Sequence, residues 1–289
     1  MSLLEVKNLT YSYGVGTPFE KKALDNVSVN INAGEFIGVI GHTGSGKSTL
    51  MQMLNGLLKP ERGQVFLNGN DINAPKNNIR NIRFKVGLVF QYPEHQLFDD
   101  TVRKDISFGP RNMGLSEEEI DERVISAAEF VGLKRELLDK SPFELSGGEK
   151  RRAAIAGVIS MEPDIIIFDE PTAGLDPNGR NYLLERINDY HKTKGKTVIL
   201  VSHSMEDIAK YAQKVLVLNK GRIEMFDETK IVFSQVEKLD SMGLRVPQIT
   251  YIMNKLKEYG YDVSGGVLTV EEAYKELNRL LCRKRGEKC

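Results

Sequence analysis

The stretch Gly41-His42-Thr43-Gly44-Ser45-Gly46-Lys47-Ser48-Thr49 decides the fold of this 289-residue chain. It fits the phosphate-binding pattern G-x-x-x-x-G-K-[ST], and both of its flanks have the character that this pattern requires. Phe36 to Ile40 is a short β-favouring run before it, and leucines recur at helical spacing after it until Pro60 and Gly63. The sequence therefore predicts a strand, a glycine-rich loop and a helix, in that order.

The residue types in this loop suit a phosphate chain. Its glycines allow backbone conformations that a Cβ would forbid, so successive N–H groups can converge on phosphate oxygens at the positive end of a helix. We expect Lys47 to hold the β- and γ-phosphates and the Ser48 hydroxyl to bind Mg²⁺. The alternative is a glycine-rich turn with a chance lysine, and the flanking strand and helix argue against it.

Charge and length limit the function further. Forty basic residues balance forty acidic ones, whereas a general nucleic-acid binder needs a net positive field. The chain is longer than most single domains, which favours one large domain with a smaller addition. No apolar run in the sequence approaches the length that spans a bilayer, so another protein would have to bring this chain to a membrane.

Hydrophobic patterns predict a mixed α/β fold. Alternation at 4–10 and 23–31 predicts an antiparallel sheet, and a final hairpin is predicted around Asn219-Lys220-Gly221. Helical sequence between about 91 and 160 interrupts the strand pattern, as an inserted subdomain would. From about Ser234 the strand signals stop, and spacing predicts amphipathic helices from Ile249 to Tyr259 and from Thr269 through Leu281.

One apolar run ends in two carboxylates. Ile165 to Phe168 is typical of a buried parallel strand, and Asp169 and Glu170 follow it. Ligands bind at the carboxyl edge of such sheets. We therefore expect Asp169 to contribute to the Mg²⁺ shell, and Glu170 to orient or deprotonate an attacking water.

Two further predicted strands end in polar side chains. Gln91 follows the buried run from Lys85 to Phe90, and His203 follows the β-branched run from Thr197 to Val201. A lone histidine or glutamine is more often structural or solvated than functional. These two are predicted to lie at the same sheet edge as the carboxylates, where a glutamine could contact Mg²⁺ or water.

The stretch Leu145-Ser146-Gly147-Gly148-Glu149 has two explanations. Ser146 and Glu149 form a capping box, which explains those two residues completely. It leaves Gly147 and Gly148 unexplained, because two glycines in a first helical turn cost about 1 kcal/mol each relative to alanine. Their presence indicates that a ligand approaches the backbone closely, at a helix N-terminus that would bind an anion.

Together these motifs resemble those of ABC-transporter ATPases, over about Leu3 to Glu228. In the order of that family, 41–48 resembles the Walker A loop, Gln91 the glutamine loop, 145–149 the signature motif, 165–170 the Walker B strand, 173–176 the D-loop and His203 the switch histidine. The resemblance implies a P-loop NTPase with a RecA-like core, an antiparallel β subdomain and an inserted helical subdomain. It also implies ATP and Mg²⁺ as cofactors, bound between two subunits that face head to tail.

The same resemblance assigns roles by residue. It implies a catalytic set of Glu170, His203 and Gln91, a metal-binding set of Ser48, Gln91 and Asp169, and a nucleotide-binding set of Tyr13, Gly41, His42, Thr43, Gly44, Ser45, Gly46, Lys47, Ser48, Thr49, Ser146, Gly147, Gly148 and Asp176. Tyr13 matches the adenine-stacking aromatic by its place after the first strand. Tyr11 keeps that assignment open.

A narrower resemblance is to the ATPase subunits of energy-coupling factor importers. It rests on the segment from Phe90 to Phe98, on Phe108-Gly109-Pro110 and on the helical extension, and Pro93 to Phe98 is similar to the second of two paralogous ATPases. It implies a nucleotide-binding domain at 1–232, with the helical subdomain at about 91–160, and a C-terminal extension at 233–289. The extension resembles a dimerisation element, although it could merely cover the sheet edge.

Partners follow from that resemblance. They are a paralogous ATPase or a second copy of this chain, a transmembrane coupling protein and substrate-binding membrane subunits, at the cytoplasmic face of the membrane and without nucleic acid. The system would import vitamins or transition-metal ions. We expect Glu94, Asp99 or Asp100 to receive a basic residue of the coupling protein. The alternatives are the ATPase of another ABC transporter, a soluble ABC ATPase of repair or translation, and a nonhydrolytic regulatory subunit.

Overall fold

The computed structural model describes residues 2–285, with side chains through Cys282. Met1 and residues 286–289, which belong to the predicted domain ends, lie outside the described residues. The strands are β1 (Ser2–Tyr13), β2 (Lys21–Asn32), β3 (Phe36–Ile40), β4 (Arg62–Leu67), β5 (Asn70–Asp71), β6 (Val86–Val89), β7 (Ile165–Asp169), β8 (Thr197–Val201), β9 (Lys214–Asn219) and β10 (Arg222–Glu228). The helices are α1 (Lys47–Leu54), α2 (Ile79–Lys85), α3 (Val102–Met113), α4 (Glu117–Phe130), α5 (Gly147–Ile159), α6 (Pro177–Lys194), α7 (Met205–Tyr211), α8 (Thr229–Ser234), α9 (Val236–Ser241), α10 (Gln248–Glu258) and α11 (Val270–Arg285).

Two sheets form the centre of the fold. The smaller one is antiparallel and has the strand order β2-β1-β4-β5, which confirms the sheet predicted from alternation. The larger one has the order β10-β9-β3-β8-β7-β6; its pairs from β9 to β6 are parallel, and β10 closes one edge antiparallel. Because β3, β6, β7 and β8 are parallel, the loops that follow them lie at one edge, where ligands bind in such sheets.

The predicted helical block is present between β6 and β7. It contains α3, α4 and α5, and a capping box of Ser116 with Glu119 opens α4. The helix after the phosphate loop is shorter than predicted, because leucine spacing alone extended it to Leu58. It ends at Leu54, since Gly56 adopts a left-handed conformation (φ +73°) and the N–H groups of Leu57 and Leu58 turn back to the carbonyl of Gln52.

The buried apolar side chains form two large clusters on the two faces of the parallel sheet. Alternate strand residues divide between them, so Ile166 and Phe168 pack toward α3–α7 whereas Ile165 and Ile167 pack toward α1 and the antiparallel sheet. Helices α8 and α9 contribute Phe233 and Leu239, among others, to the first cluster. Helices α10 and α11 enclose a third, smaller cluster that includes Met253, Val263, Val267 and Ala273.

Candidate functional site

The phosphate loop is pressed against neighbouring backbone at two glycines. A Cβ on Gly41 (φ +154°) would lie 2.3 Å from the carbonyl oxygen of Leu218, and one on Gly46 (φ +105°) would lie 2.5 Å from that of Ala23. Only glycine tolerates both the left-handed backbone and these approaches. The loop is therefore held in a cradle shape by β9 and β2, while His42, Thr43 and Gly44 remain exposed.

Lys47 is buried beneath this loop. Its ammonium group donates hydrogen bonds to the carbonyl oxygens of Gly41 (2.6 Å) and His42 (2.9 Å). Burial lowers the pKa of the Lys47 ammonium, and the nearby carboxylates of Glu170 and Asp169 oppose that shift. A phosphate chain would offer this cation stronger acceptors than the two neutral carbonyls.

The hydroxyl of Ser48 and the carboxylate of Asp169 lie side by side. Burial raises the pKa of Asp169, and a hydrogen bond with the Ser48 side chain opposes the rise. Among the described residues no three His, Cys, Asp or Glu side chains form a metal-binding group by themselves. Two hard oxygen donors beside a phosphate cradle nevertheless fit Mg²⁺, which Ser48 and Asp169 would hold through their oxygen atoms.

Glu170 is the point at which three strand ends meet. Its Oε1 atom lies 2.7 Å from Nε2 of His203, and its Oε2 atom accepts a hydrogen bond of 3.2 Å from the Gln91 side-chain amide. The Glu170 backbone has a positive φ of 52°, and its N–H bonds to the carbonyl of Val201. The predicted catalytic set of Glu170, His203 and Gln91 is thus one hydrogen-bonded cluster.

The two tyrosines of β1 differ in their surroundings. Tyr13 is 43% exposed, and its hydroxyl forms a 3.1 Å hydrogen bond with the Thr49 hydroxyl, beside the phosphate loop. Tyr11 is half-buried against the apolar cluster between the sheets and meets the Tyr13 ring edge-on, with centroids 5.0 Å apart. Of the two, Tyr13 has the more accessible ring at the loop.

Among the described residues, the signature stretch (145–149) forms no hydrogen bond with the phosphate loop. Ser146 and Glu149 form the predicted capping box at the start of α5. Within the part of the chain that the structure describes, a Cβ on Gly147 would meet nothing within 4 Å, and one on Gly148 would meet only the end of the Arg152 side chain at 3.7 Å. No packing among the described residues therefore requires these glycines. Asp176, in the D-loop, caps α6 by accepting a 2.8 Å hydrogen bond from the Gly179 N–H.

Sequence reasoning missed Arg151, which ties three segments together. It is 6% exposed and binds Glu94 in a bidentate pair of 2.7 and 3.0 Å. It also donates to the carbonyl oxygens of Pro171 (3.3 Å) and Ala173 (2.6 Å). The sequence does contain an indication that Arg151 is buried. Arg151 precedes Ile155 and Ile159 at helical spacing and so falls on the apolar face of α5.

Two of the carboxylates predicted to receive a partner's cation already have one. Glu94 is paired with Arg151, and Asp100 is paired with Lys104 at 2.9 Å. Asp99 forms no ion pair within the described residues and remains the candidate of the three.

Comparison with known proteins gives concordant matches. The family model described as "ABC transporter" matches residues 24–173. The Energy-coupling factor transporter ATP-binding protein EcfA2 of Clostridium tetani is 55% identical over 97% of this chain and 98% of its own length, and that of Bacillus licheniformis is 46% identical over 96% and 97%.

Solved structures agree with this. The structure of cbiO1 from Clostridium perfringens, described as part of the ABC transporter complex cbiONQ, is 39% identical with a TM-score of 0.73, covering 88% of this chain and 99% of that one. A dimeric post-hydrolysis state of the ATP-binding cassette MJ0796, bound to ADP and Pi, is 29% identical with a TM-score of 0.71, covering 78% and 98%. The fold, the motifs and these similarities together establish that the chain belongs to the energy-coupling factor transporter ATP-binding proteins of the ABC transporter family.

Proposed function

We propose that this chain hydrolyses ATP to drive import through an energy-coupling factor transporter. The observation that carries the proposal is the cluster around Glu170, in which His203 and Gln91 contact the two oxygens of one carboxylate. That carboxylate lies close enough to Lys47 to influence the pKa of its ammonium. A general base held beside a phosphate-binding cation is what hydrolysis of a terminal phosphate requires.

Each residue of the site has a defined task in this reaction. Lys47 and the loop N–H groups bind the β- and γ-phosphates, while Tyr13 supplies a stacking face for the adenine. Ser48 and Asp169, with Gln91, would hold Mg²⁺, which would supply positive charge to the phosphate oxygens. Glu170 orients or deprotonates the attacking water, and the His203 ring fixes the carboxylate that does so.

A second subunit completes the site in this proposal. Ser146, Gly147 and Gly148 of one subunit close over the γ-phosphate that the phosphate loop of the other subunit holds. The open space around both glycines and their place in the first turn of α5 support this arrangement. The chain pairs with a paralogous ATPase or with a second copy of itself, and Asp176 lies in the D-loop beside that interface.

The hydrolytic role is tested with Glu170→Gln and a matched control, Glu185→Gln, on the exposed side of α6. We expect the first variant to lower phosphate release by roughly 10²–10⁴-fold, as loss of a general base does, while retaining ATP binding. The control should keep the rate of the unmodified protein. Equal rates in all three proteins would remove Glu170 from the chemistry.

We further propose a division of labour along the chain. Residues 1–232 form the nucleotide-binding domain, with the helical subdomain at about 91–160, and residues 233–289 form an extension that contributes to dimerisation. The separate apolar cluster of α10 and α11 supports this role, as do the exposed Tyr251 and Ile252 on α10 and Tyr274 on α11. No helix among the described residues is both long and apolar enough to cross a membrane.

A transmembrane coupling protein would then bind in the groove between α2 and β6 on one side and α3 and α5 of the helical subdomain on the other. This groove has a volume of about 350 Å³, and its lining includes Phe98, Phe108 and Asp105. One oxygen of Asp105 accepts the N–H groups of Phe98 and Asp99, whereas Oδ2 is buried without a hydrogen-bond partner within the described residues. A basic side chain from the coupling protein would pair with Asp105 and Asp99, in place of Glu94.

Charge reversal tests this docking. Asp99→Lys should abolish ATP-driven uptake in membranes while leaving the affinity for ATP unchanged, because the residue lies outside the phosphate cradle. Glu185→Lys, an equal change of charge on α6, should leave both unchanged. Uptake that persists in Asp99→Lys would contradict the assignment of this groove.

The imported substrates in this proposal are vitamins or transition-metal ions, bound by separate membrane subunits. The Glu170→Gln protein, loaded with ATP, can be used to capture the assembly from native membranes at the cytoplasmic face. Recovery of a second ATPase, one polytopic protein and several small membrane proteins would support the proposal. Recovery of a dedicated two-subunit permease would instead support another kind of ABC transporter, and ribosomes or DNA would exclude transport.

A further inference from the structure

The segment from Met242 to Gln248, which we call the linker, connects α9 to α10. At its start, α9 ends in a Schellman motif: Leu244 donates its N–H to the carbonyl of Leu239 (2.9 Å), and Gly243 (φ +64°) donates to that of Asp240 (2.7 Å). These bonds use the carbonyls of the preceding turn. The carbonyl of Met242 takes no part in them and is left to accept a bond from elsewhere.

That bond comes from the phosphate loop. Nε2 of His42 contacts the carbonyl oxygen of Met242. Since a carbonyl oxygen can only accept, Nε2 of the ring carries the proton. The carbonyl of His42 in turn accepts from the Lys47 ammonium (2.9 Å) and the Ser45 N–H (3.0 Å). One residue therefore contacts the linker through its side chain and holds the phosphate loop through its backbone.

The other end of the linker contacts the second half of the site. The N–H of Gln248 donates to Oε1 of Glu206 (3.3 Å), in the first turn of α7. That helix begins two residues after His203. Between these two contacts, Leu244 and Val246 are buried in the large apolar cluster that includes strand residues of the catalytic core. The linker is therefore attached both to the loop that would bind phosphate and to the segment that carries the switch histidine.

We propose that the linker is a positioning element of the ATP site. The Met242 carbonyl orders His42, and through it the phosphate loop, so that the C-terminal helices and the nucleotide influence each other's stability. This inference rests on the proposed binding of ATP at 41–49. Because coupling between sites is reciprocal, a linker that favours ATP binding must itself be ordered by ATP.

The test compares alanine substitutions at two glycines that both have a positive φ. Each substitution is made in the Glu170→Gln protein, and its affinity for ATP is measured with Mg²⁺ present. A Cβ on Gly243 would lie 3.2 Å from Cε1 of His42, whereas one on Gly260 (φ +85°) would meet no described atom within 4 Å. We expect Gly243→Ala to raise the Kd for ATP at least about five-fold, in the usual range of coupling between sites, and Gly260→Ala to change it by less than about two-fold. Equal effects would overturn the proposal.

Hydrogen exchange distinguishes coupling to ATP from a purely structural role of the linker, because a purely structural linker would exchange its amides at the same rate with and without ATP. ATP should slow amide exchange in residues 242–250 of the parent protein, and this protection should disappear in His42→Leu. His42→Gln, which retains an N–H donor, should restore part of it. If Gly243→Ala fails to fold, the two His42 variants still test the proposal. ATP binding without any change in linker exchange overturns this inference alone, whereas a parent protein that binds no ATP overturns the proposed function as well.

Discussion

Replacing Arg151 with methionine should destabilise the protein far more than an ordinary loss of a salt bridge. The Arg151 side chain is 6% exposed and that of its partner Glu94 is 17% exposed, so both charges have lost most of their hydration. Arg151 also satisfies the carbonyl oxygens of Pro171 and Ala173. Methionine preserves much of the volume of the side chain but leaves the Glu94 carboxylate without a cation and both carbonyls without this donor.

The size of the effect follows from this burial. Removing one partner of a buried ion pair costs about 3–5 kcal/mol, and the lower end applies because Glu94 keeps some contact with water. A loss of about 3 kcal/mol corresponds to a fall of roughly 6–12 °C in the unfolding midpoint, at the 2–4 °C per kcal/mol expected for domains of 150–250 residues. An exposed pair would contribute only about 0–1 kcal/mol.

Thermal unfolding followed by circular dichroism, without nucleotide, measures the difference. Arg135→Met is the matched control, because Arg135 pairs with Glu129 while the two side chains are 65% and 54% exposed. We expect the midpoint of that control to fall by less than about 4 °C. If Arg151→Met were as stable as Arg135→Met, the buried pair with Glu94 and the bonds of Arg151 to Pro171 and Ala173 would not stabilise the fold, and the reasoning from burial would be wrong.

Three other predictions concern acid, the phosphate cradle and the signature helix. Burial raises the pKa of Glu94, but the hydrogen bond from Arg151, a backbone hydrogen bond and the charge of Arg151 together outweigh it, so the folded pKa lies below the ordinary value of 4.5. The stabilisation should be complete above pH 4.5 and lost as the pH falls through the folded pKa, and the urea midpoints of the unmodified protein and Arg151→Met should approach each other there. Gly46→Ala should abolish ATP binding in a fluorescent-nucleotide titration, since its Cβ would lie 2.5 Å from the Ala23 carbonyl, and nearly normal binding would contradict the cradle. Gly147→Ala should keep or raise the unfolding midpoint, because the space is open and alanine favours a helix, yet it should block ATP-dependent dimerisation in light scattering; unchanged dimerisation would argue against closure by the signature motif.

Much of the fold was predictable because its signals are local. The period-two alternation identified β1 and β2, and short continuous apolar runs identified the buried strands β6, β7 and β8. The capping box of Ser146 with Glu149 gave the start of α5 within a residue. The end of α1 was not predictable from leucine spacing, since the left-handed conformation of Gly56 overrides a pattern that continues beyond it.

The site was predictable to the extent that parallel strands place their ends together. That rule brings Gln91, Glu170 and His203 to one edge without any knowledge of their contacts. It gives no information about Arg151 and Glu94, which are 57 positions apart, or about His42 and Met242, which are 200 apart. Such pairs depend on how a helix or a linker packs on the core, and periodicity describes only the face that each element presents.

Two features that the described part of the chain leaves unexplained support the proposed partner surfaces. Gly41 and Gly46 are required by neighbouring backbone of the same chain, so their role in the cradle is already complete in one subunit. Gly147 has no such neighbour, and Asp105 keeps a buried oxygen without a hydrogen-bond partner in the part of the chain that is described. Glycine has a low helix propensity, and the buried Asp105 oxygen loses its hydration without gaining a hydrogen bond. Gly147 and Asp105 therefore each lower the stability of the isolated subunit. A γ-phosphate bound by a second ATPase would account for the glycine, and a cation from a membrane protein would account for the carboxylate.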